Sequence, residues 1–312
     1  MVGSSLLDRR LLIVTGKGGV GKSTVSAALA VLAARRGKRV LVCEVNAPER
    51  VAPLLGAPPA GSSIREATRG ISTIDLTPQE CLREYGLMVL KFRTIYDAVF
   101  ENRLVRFFLR ALPSFSELVM LGKILHEATQ EDGAGRPRWD LVIVDAPSTG
   151  HAVQLLRVPA ALLDTVAAGP LRRDAQWMRD LLIDPKRTAL SIVTLPEEMP
   201  VNEAIELDAE VRDVLGIPRG RLFVNAMPGD VFTDSECASL ARLAEAPLPL
   251  GPAAEAARRQ AVRRAEAQRD LGRARTSLDL PTVVLPLLVR PTWDRAAVEA
   301  IADAIALAES ES

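Results

Sequence analysis

Short apolar runs alternate with helical patterns along most of this chain. Residues 11–15 read Leu-Leu-Ile-Val-Thr, a continuous apolar run that is typical of a strand buried on both faces. A helical pattern covers residues 23–36, and a second strand-like run follows at 39–43. Residues 11–43 therefore predict one βαβ unit, which implies a parallel sheet and a right-handed crossover.

The alternation of strand-like and helical segments continues to the end of the sequence. Further strand-like runs occupy residues 71–76, 141–144, 189–194, 221–224 and 282–285. Helical patterns occupy residues 160–183, 200–215, 234–245, 253–278 and 293–309, whereas prolines and glycines crowd residues 48–61 and predict a loop. We therefore expect an α/β fold, a single domain over residues 1–312 in which helices flank a mostly parallel sheet.

Residues 79–130 differ from the rest, because apolar positions recur there at helical spacing. Pro113 interrupts this pattern, and Ser114 or Ser116 is expected to cap the helix that follows. The segment predicts an α-helical insertion of about 79–130. Its apolar helices either pack against the sheet or form a groove for a protein client, and the sequence favours neither alternative.

Composition excludes several classes of protein. The 312 residues carry 39 Lys and Arg against 39 Asp and Glu, so bulk charge does not favour nucleic acid or anionic lipid, and no nucleic-acid partner is expected. The Arg-rich stretch 258–275 also contains acidic residues and no aromatic residue, which favours a solvated helix face. No apolar run approaches the ~20 residues that span a bilayer, and the first ten residues lack the order of a signal peptide. We expect a cytoplasmic protein without an integral membrane segment.

A glycine-rich loop directly follows the first strand and directly precedes the first helix. Residues 16–23 read Gly-Lys-Gly-Gly-Val-Gly-Lys-Ser and match the phosphate-binding pattern G-x-x-x-x-G-K-[ST] in the setting that this pattern requires. Backbone N–H groups and the helix N-terminus favour phosphate oxygens, Lys22 is expected on the β- and γ-phosphates, and Ser23 on Mg²⁺. The loop predicts a site for ATP or ADP and Mg²⁺, formed by Gly16, Lys17, Gly18, Gly19, Val20, Gly21, Lys22, Ser23 and Thr24.

The loop carries a second lysine, Lys17. In this form it resembles the deviant Walker A motif of the SIMIBI class of P-loop proteins, which includes the nitrogenase iron protein, plasmid-partition ATPases, the arsenite-pump ATPase and the tail-anchored-protein-targeting ATPase. In those families the first lysine reaches across a face-to-face dimer to the partner's nucleotide. The resemblance implies a homodimer, or a heterodimer with a paralogous ATPase, in which Lys17 acts on phosphates in trans.

A second motif narrows the resemblance. Asp145 follows the apolar run Leu-Val-Ile-Val, where an aspartate can hold Mg²⁺ through water. The string Asp-Ala-Pro-Ser-Thr-Gly-His at 145–151, followed by Leu-Leu-Arg-Val-Pro at 155–159, closely resembles switch II of the arsenite-pump and tail-anchor-targeting ATPases. This similarity indicates an ArsA-like ATPase. It also implies adenine contacts from Asn225, Pro286 and Leu287, and a family segment at 196–199 with Glu203.

The sequence departs from that family at switch I. Asn46 falls where the family has the aspartate that positions the attacking water. An asparagine can hydrogen-bond a water but cannot accept its proton. Glu44 lies two residues earlier and, in an extended chain, points to the same side, so it is an alternative candidate. The sequence leaves open which of the two acts, and hydrolysis is expected to be slow.

The resemblance implies a Mg²⁺-dependent dimeric ATPase whose nucleotide state controls a client or partner surface. The chain contains three cysteines and no C-x-x-C pair, so no zinc site is expected to clamp the dimer. An alternative, favoured by Asn46, is a regulatory ATP-binding subunit with little turnover in a heterodimer. A partition-type ATPase is disfavoured, because the C-terminal helical pattern at 296–308 is acidic rather than basic.

Overall fold

The computed structural model describes residues 6–45, 49–90, 114–243 and 249–310. Within these ranges the chain forms one sheet from strands whose sequences are mostly continuous apolar runs. In chain order, the strands are β1 Leu11–Gly16, β2 Val40–Val45, β3 Arg65–Thr68, β4 Ile71–Leu76, β5 Leu141–Ser148, β6 Thr188–Thr194, β7 Arg219–Met227 and β8 Thr282–Pro286.

The sheet has the order β3-β4-β2-β5-β1-β6-β7-β8. All neighbouring strands in it are parallel except β3 and β4, which are antiparallel. The predicted α/β fold with a mostly parallel sheet is therefore confirmed. Strand β3 was not predicted, because it reads Arg-Glu-Ala-Thr, has no buried residue and pairs only at the edge.

Helices cover both faces of this sheet. In the described residues they are α1 Lys22–Arg35, α2 Val51–Leu54, α3 Pro78–Leu90, α4 Phe115–Thr129, α5 Thr149–Thr165, α6 Pro170–Ile183, α7 Glu198–Glu210, α8 Asp234–Leu243, α9 Leu250–Leu278 and α10 Arg295–Ser310. Leu12 and Val14 of β1 pack with α1 and α10, whereas Leu11 and Ile13 pack on the opposite face with α4 to α7 and α9. Alternate side chains of β1 thus pack into two hydrophobic cores, one on each face of the sheet.

Two of the predicted boundaries are wrong. The single helical pattern at 160–183 is a pair of helices, α5 and α6, because Gly169 with a φ of +113° separates them and Pro170 starts α6. The predicted loop at 48–61 contains the short helix α2. Helix α7 continues into a π-helical turn, Val211–Leu215, which ends at Gly216 with a φ of +66°.

The described part of the predicted insertion packs against the rest of the fold. The buried side chains of α4 include Leu121, Ile124 and Leu125, and they join the core that α5 and β5 also enter. Ser114 lies at the N-cap of α4, but its side chain makes no capping hydrogen bond. Residues 91–113, the middle of the predicted insertion, lie outside the described residues.

The Arg-rich stretch forms an exposed part of helix α9. Some of its ion pairs join residues one helical turn apart, as in Arg258 with Glu255 and Arg273 with Asp270. Two others join it to residues outside the helix, Arg263 to Glu197 and Arg264 to Asp230.

None of the helices in the described ranges combines the length and the apolar character needed to cross a membrane.

Strand β1 approaches β6 so closely at its carboxyl end that only a glycine fits. A Cβ atom added at Gly16, which has a φ of +150°, would lie 2.1 Å from the carbonyl oxygen of Val193. We expect Gly16→Ala to lower the free energy of unfolding by at least about 2 kcal/mol, because backbone must move to relieve the overlap. Urea unfolding measures the change. Gly18→Ala is the matched control, because no described atom lies within 4 Å of the added Cβ; an equal loss in both variants would contradict the steric explanation.

Candidate functional site

The glycine-rich loop connects the central strand β1 to the start of α1 at the carboxyl edge of the sheet. Gly19 and Gly21 have φ values of +87° and +94°, a left-handed region that glycine enters without steric cost. Among the described atoms, none lies within 4 Å of a Cβ added at Gly18 or Gly19. The loop therefore turns at the positive end of a helix, an arrangement that suits phosphate groups.

Asp145 joins strand β5 to the first turns of α1. Its side chain is 6% exposed, and its Oδ2 atom accepts a hydrogen bond from Ser23 Oγ at 2.6 Å. Its Oδ1 atom accepts a second one from Ser26 Oγ at 3.1 Å. Burial raises the pKa of Asp145, whereas these hydroxyls and the positive charges of Lys22 and Arg50 lower it.

The structure brings the two predicted metal-site residues, Ser23 and Asp145, into contact, and Ser26 contacts Asp145 as well. Ser26 follows Ser23 by three residues and therefore lies on the same face of the helix. That spacing was visible in the sequence. Serine is common on helix surfaces, however, so the spacing alone did not identify Ser26 as a site residue.

The two lysines of the loop point in different directions. Lys22 Nζ donates to the carbonyl oxygen of Lys17 at 3.0 Å, so the side chain folds back over the loop. Burial lowers the pKa of Lys22, and the Asp145 carboxylate opposes this shift. The ammonium group of Lys17 pairs instead with the carboxylate of Glu203 on α7 in the same chain.

Glu44 lies on β2 in register with Asp145 on the neighbouring strand β5. Its Oε1 atom accepts backbone hydrogen bonds from Arg50 at 2.5 Å and Val51 at 3.0 Å, so it holds the start of helix α2. Its Oε2 atom is buried and has no partner among the described residues. Asn46 lies outside the described residues, so the choice between Glu44 and Asn46 as the water-positioning residue stays a prediction.

The predicted adenine residues lie together beside the loop. Asn225 Nδ2 donates to the carbonyl oxygen of Val20 at 2.9 Å. Pro286 is in register with Met227, and the backbone N–H of Leu287 donates to the Met227 carbonyl oxygen at 2.9 Å. The ends of β7 and β8 thereby form one wall next to the glycine-rich loop. Thr24 lies in the first turn of α1.

The residues at this site fit a magnesium nucleotide. The Ser23 hydroxyl and the Asp145 carboxylate are oxygen ligands of the kind that Mg²⁺ prefers, and Mg²⁺ usually takes one or two such groups together with substrate phosphates. Lys22 and the turned loop would face the phosphates at the same place.

Sequence comparison points in the same direction as this geometry. The model of the anion-transporting ATPase family matches residues 9–168, just over half of the chain. The chain is 33% identical over 227 residues to ATPase BagA of Mycobacterium tuberculosis, a match that covers 71% of this chain and 66% of that protein. It is 27% identical to the arsenical pump-driving ATPase of Acidiphilium multivorum and 25% identical to that of Escherichia coli, each time covering 69% of this chain and 39% of the relative. The chain thus matches about two thirds of the mycobacterial relative and well under half of the pump-driving ones.

The buried Glu44 carboxyl group makes the stability of the fold depend on pH. Burial raises its pKa from 4.5 to about 7, the two backbone N–H groups oppose the shift, and the charges of Asp145 and Glu49 add to it. The folded chain therefore holds this proton more tightly than the unfolded chain. The resulting stabilisation is complete below pH ~4.5 and is lost as the pH rises through about 7.

Glu44→Gln imitates the protonated carboxyl group and keeps the acceptor for both backbone N–H groups. We expect the variant to exceed the wild type in free energy of unfolding above pH 7, by about 2–3 kcal/mol at most. Below pH 5 the two proteins should converge. Urea unfolding at several pH values measures this difference, with Glu206→Gln on the exposed face of α7 as the control. A Glu44→Gln curve parallel to the wild-type curve from pH 4.5 to pH 8 would rule out the raised pKa.

Proposed function

The chain belongs to the anion-transporting ATPase family, and we propose that it binds ATP with Mg²⁺ and hydrolyses it slowly, as a dimer whose nucleotide state controls a partner surface. The contact between Asp145 and Ser23 carries this proposal, because it sets a carboxylate and a hydroxyl oxygen side by side at the mouth of the glycine-rich loop. A purely structural role for Asp145 would not require its contact with Ser23, the serine of the phosphate-binding motif.

The proposed reaction is hydrolysis of the terminal phosphoryl group. A water oxygen forms a bond to the γ-phosphorus while the bond from that phosphorus to the β–γ bridging oxygen breaks, and the electron pair of this bond leaves with ADP. The proton of the water passes to the phosphate product. Bound Mg²⁺ would neutralise charge on the β- and γ-phosphate oxygens.

The residues of the site would each have a separate part in that reaction. Lys22 and the loop N–H groups would bind the phosphates, while Ser23 and Asp145 would hold Mg²⁺, Asp145 through water. Asn225, with Pro286 and Leu287, forms the wall for the adenine ring. Asn46 or Glu44 orients the water, and an amide at Asn46 would leave turnover slow because it cannot accept a proton.

The pairing of Lys17 with Glu203 supports a switch rather than a finished catalytic site. In the single chain, the Lys17 ammonium group is occupied by a carboxylate of its own chain. In a face-to-face dimer it would exchange this partner for the phosphates of the other subunit, where negative charge develops during phosphoryl transfer.

The partner surface is proposed on the helical side of switch II. Helix α5 starts directly after β5, and α4 packs on α5 within the same core as Ala146 and Leu155. A movement of Asp145 towards a bound ion would therefore pass through α5 to the predicted insertion at 79–130. A homodimer and a heterodimer with a paralogous ATPase both remain compatible with this arrangement.

We expect Lys22→Ala to abolish ATP binding, because the β- and γ-phosphates would lose their main counter-charge. The loss should be at least about 100-fold in Kd, the upper range for a hydrogen bond to a charged group. Isothermal titration calorimetry with Mg-ATP measures it, and Lys186→Ala, on a turn remote from the loop, is the control. Unchanged affinity in Lys22→Ala would refute the assignment of the loop.

Lys17→Ala should bind ATP nearly as the wild type does, yet lose the ATP-dependent dimer or its turnover. Glu203→Gln should act in the opposite direction and strengthen the ATP-dependent dimer up to about fivefold, because release of a surface ion pair costs at most about 1 kcal/mol. Mass measurement by light scattering with and without Mg-ATP tests the dimer in both variants, and phosphate release measures turnover. A Lys17→Ala variant with wild-type dimerisation and wild-type turnover would exclude a role of Lys17 in trans.

A further outcome distinguishes the regulatory alternative. ATP binding and dimerisation without measurable release of phosphate, in the wild type and in Asn46→Asp alike, would show that the chain is a binding subunit. Phosphate release from the wild type that Asn46→Asp accelerates would place Asn46 at the water.

A further inference from the structure

The connection between β2 and α2 brings an arginine to the proposed phosphate site. Arg50 is the N-cap residue of α2, and its backbone N–H donates to Glu44 Oε1 at 2.5 Å. The next backbone N–H, that of Val51, donates to the same oxygen at 3.0 Å. One buried carboxylate oxygen of Glu44 therefore fixes the position of the start of α2.

The place that Glu44 fixes is beside Asp145. Glu44 and Asp145 are register partners on the adjacent parallel strands β2 and β5, which lie about 4.8 Å apart in such sheets. Asp145 in turn contacts Ser23 of the phosphate loop. The backbone of Arg50 is thus bonded to Glu44, and Glu44 lies one strand away from Asp145, which contacts the glycine-rich loop.

The guanidinium group of Arg50 is exposed, and no carboxylate of the described residues forms an ion pair with it. Two positively charged residues therefore flank Asp145: Lys22 adjoins Ser23, which contacts Asp145, and Arg50 contacts Glu44, the register partner of Asp145.

Two neighbouring cations in a partly buried site favour an anion between them. The phosphates of a nucleotide are such an anion, and a guanidinium group matches two phosphate oxygens with its planar pair of N–H donors. The Glu44 contact and the strand register together place Arg50, which has no ion pair among the described residues, close to the residue that meets the glycine-rich loop.

We propose that Arg50 contacts the γ-phosphate of the bound nucleotide from its own subunit, and that Glu44 is the positioning residue that holds Arg50 there through the backbone of α2. This inference rests on the proposed function, since it assigns one more residue to the same nucleotide. Arg50 stabilises negative charge on the phosphoryl oxygens and transfers no proton. In this assignment Glu44 acts on Arg50 through its Oε1 atom, which accepts the backbone N–H groups of Arg50 and Val51.

Binding of a slowly hydrolysed ATP analogue, ATPγS, and of ADP tests the arginine directly. For Arg50→Ala we expect the affinity for ATPγS to fall about 10-fold or more, while the affinity for ADP changes less than about threefold. Arg50→Lys should recover part of the loss, because it keeps the charge but not the paired donors. Phosphate release should fall about 100-fold in Arg50→Ala. Arg69→Ala, an exposed arginine at the opposite edge of the sheet, is the matched control.

Variants of Glu44 test its positioning role. Glu44→Gln keeps the acceptor for the backbone N–H groups of Arg50 and Val51, so we expect its ATPγS affinity to stay within about threefold of the wild type. Glu44→Ala removes the acceptor and should reproduce the losses of Arg50→Ala. The double variant should then be no worse than Arg50→Ala alone. Should Glu44→Ala fail to fold, Glu44→Gln and the Arg50 variants still decide the question.

The outcomes separate this inference from the function on which it rests. A wild-type protein that binds neither ATPγS nor ADP would overturn the proposed function itself. A wild-type protein that binds both, with Arg50→Ala unchanged in its preference for ATPγS over ADP, would overturn only the role of Arg50. Unchanged ATPγS affinity in a folded Glu44→Ala variant, or a loss in Glu44→Gln as large as that of Arg50→Ala, would overturn the positioning role of Glu44.

Discussion

The buried carboxylate of Asp145 accepts hydrogen bonds from two hydroxyls of helix α1, and the arrangement of the site depends on this link. Ser23 and Ser26 hold one oxygen each, so the end of β5 and the first turns of α1 cannot move independently. Strand β1 lies between β5 and β6 in the sheet, and its last residue starts the glycine-rich loop. The carboxylate is desolvated, which raises its pKa, and it is tolerated because hydroxyl donors and nearby cations offset that cost.

The neighbouring strands extend this link in two directions. On one side, Glu44 of β2 captures the start of α2 and with it Arg50. On the other side, Asn225 of β7 donates to the loop carbonyl oxygen of Val20, so the proposed adenine wall is attached to the phosphate loop. The glycine-rich loop is thus attached to the end of β5 through Asp145 and to the end of β7 through Asn225.

Several features of this site were readable in the sequence because each is local. The glycine-rich loop needs a strand before it and a helix after it, and both patterns lie within 30 residues of each other. Asp145 was recognisable because it ends an apolar run. Ser26 and Arg50 were missed for a different reason. Their residue types are common on exposed helices and loops. The position of α1 against β5 brings Ser26 to Asp145, and the pairing of β2 with β5 brings Glu44, which Arg50 contacts, next to Asp145.

The sequence by itself determined the βαβ start, the mostly parallel sheet and the place of the glycine-rich loop between a strand and a helix, since hydrophobic periodicity and short motifs depend on residues close together in the chain. It did not determine the edge strand β3, whose residues form no apolar run, or which partner each charged side chain takes. The charged partners depend on the strand order, because residues about a hundred positions apart, such as Glu44 and Asp145, become neighbours only when the sheet is assembled. Glu44 shows the difference: its place in an extended strand suggested a group facing water, but the tertiary structure commits one of its oxygens to the backbone of α2.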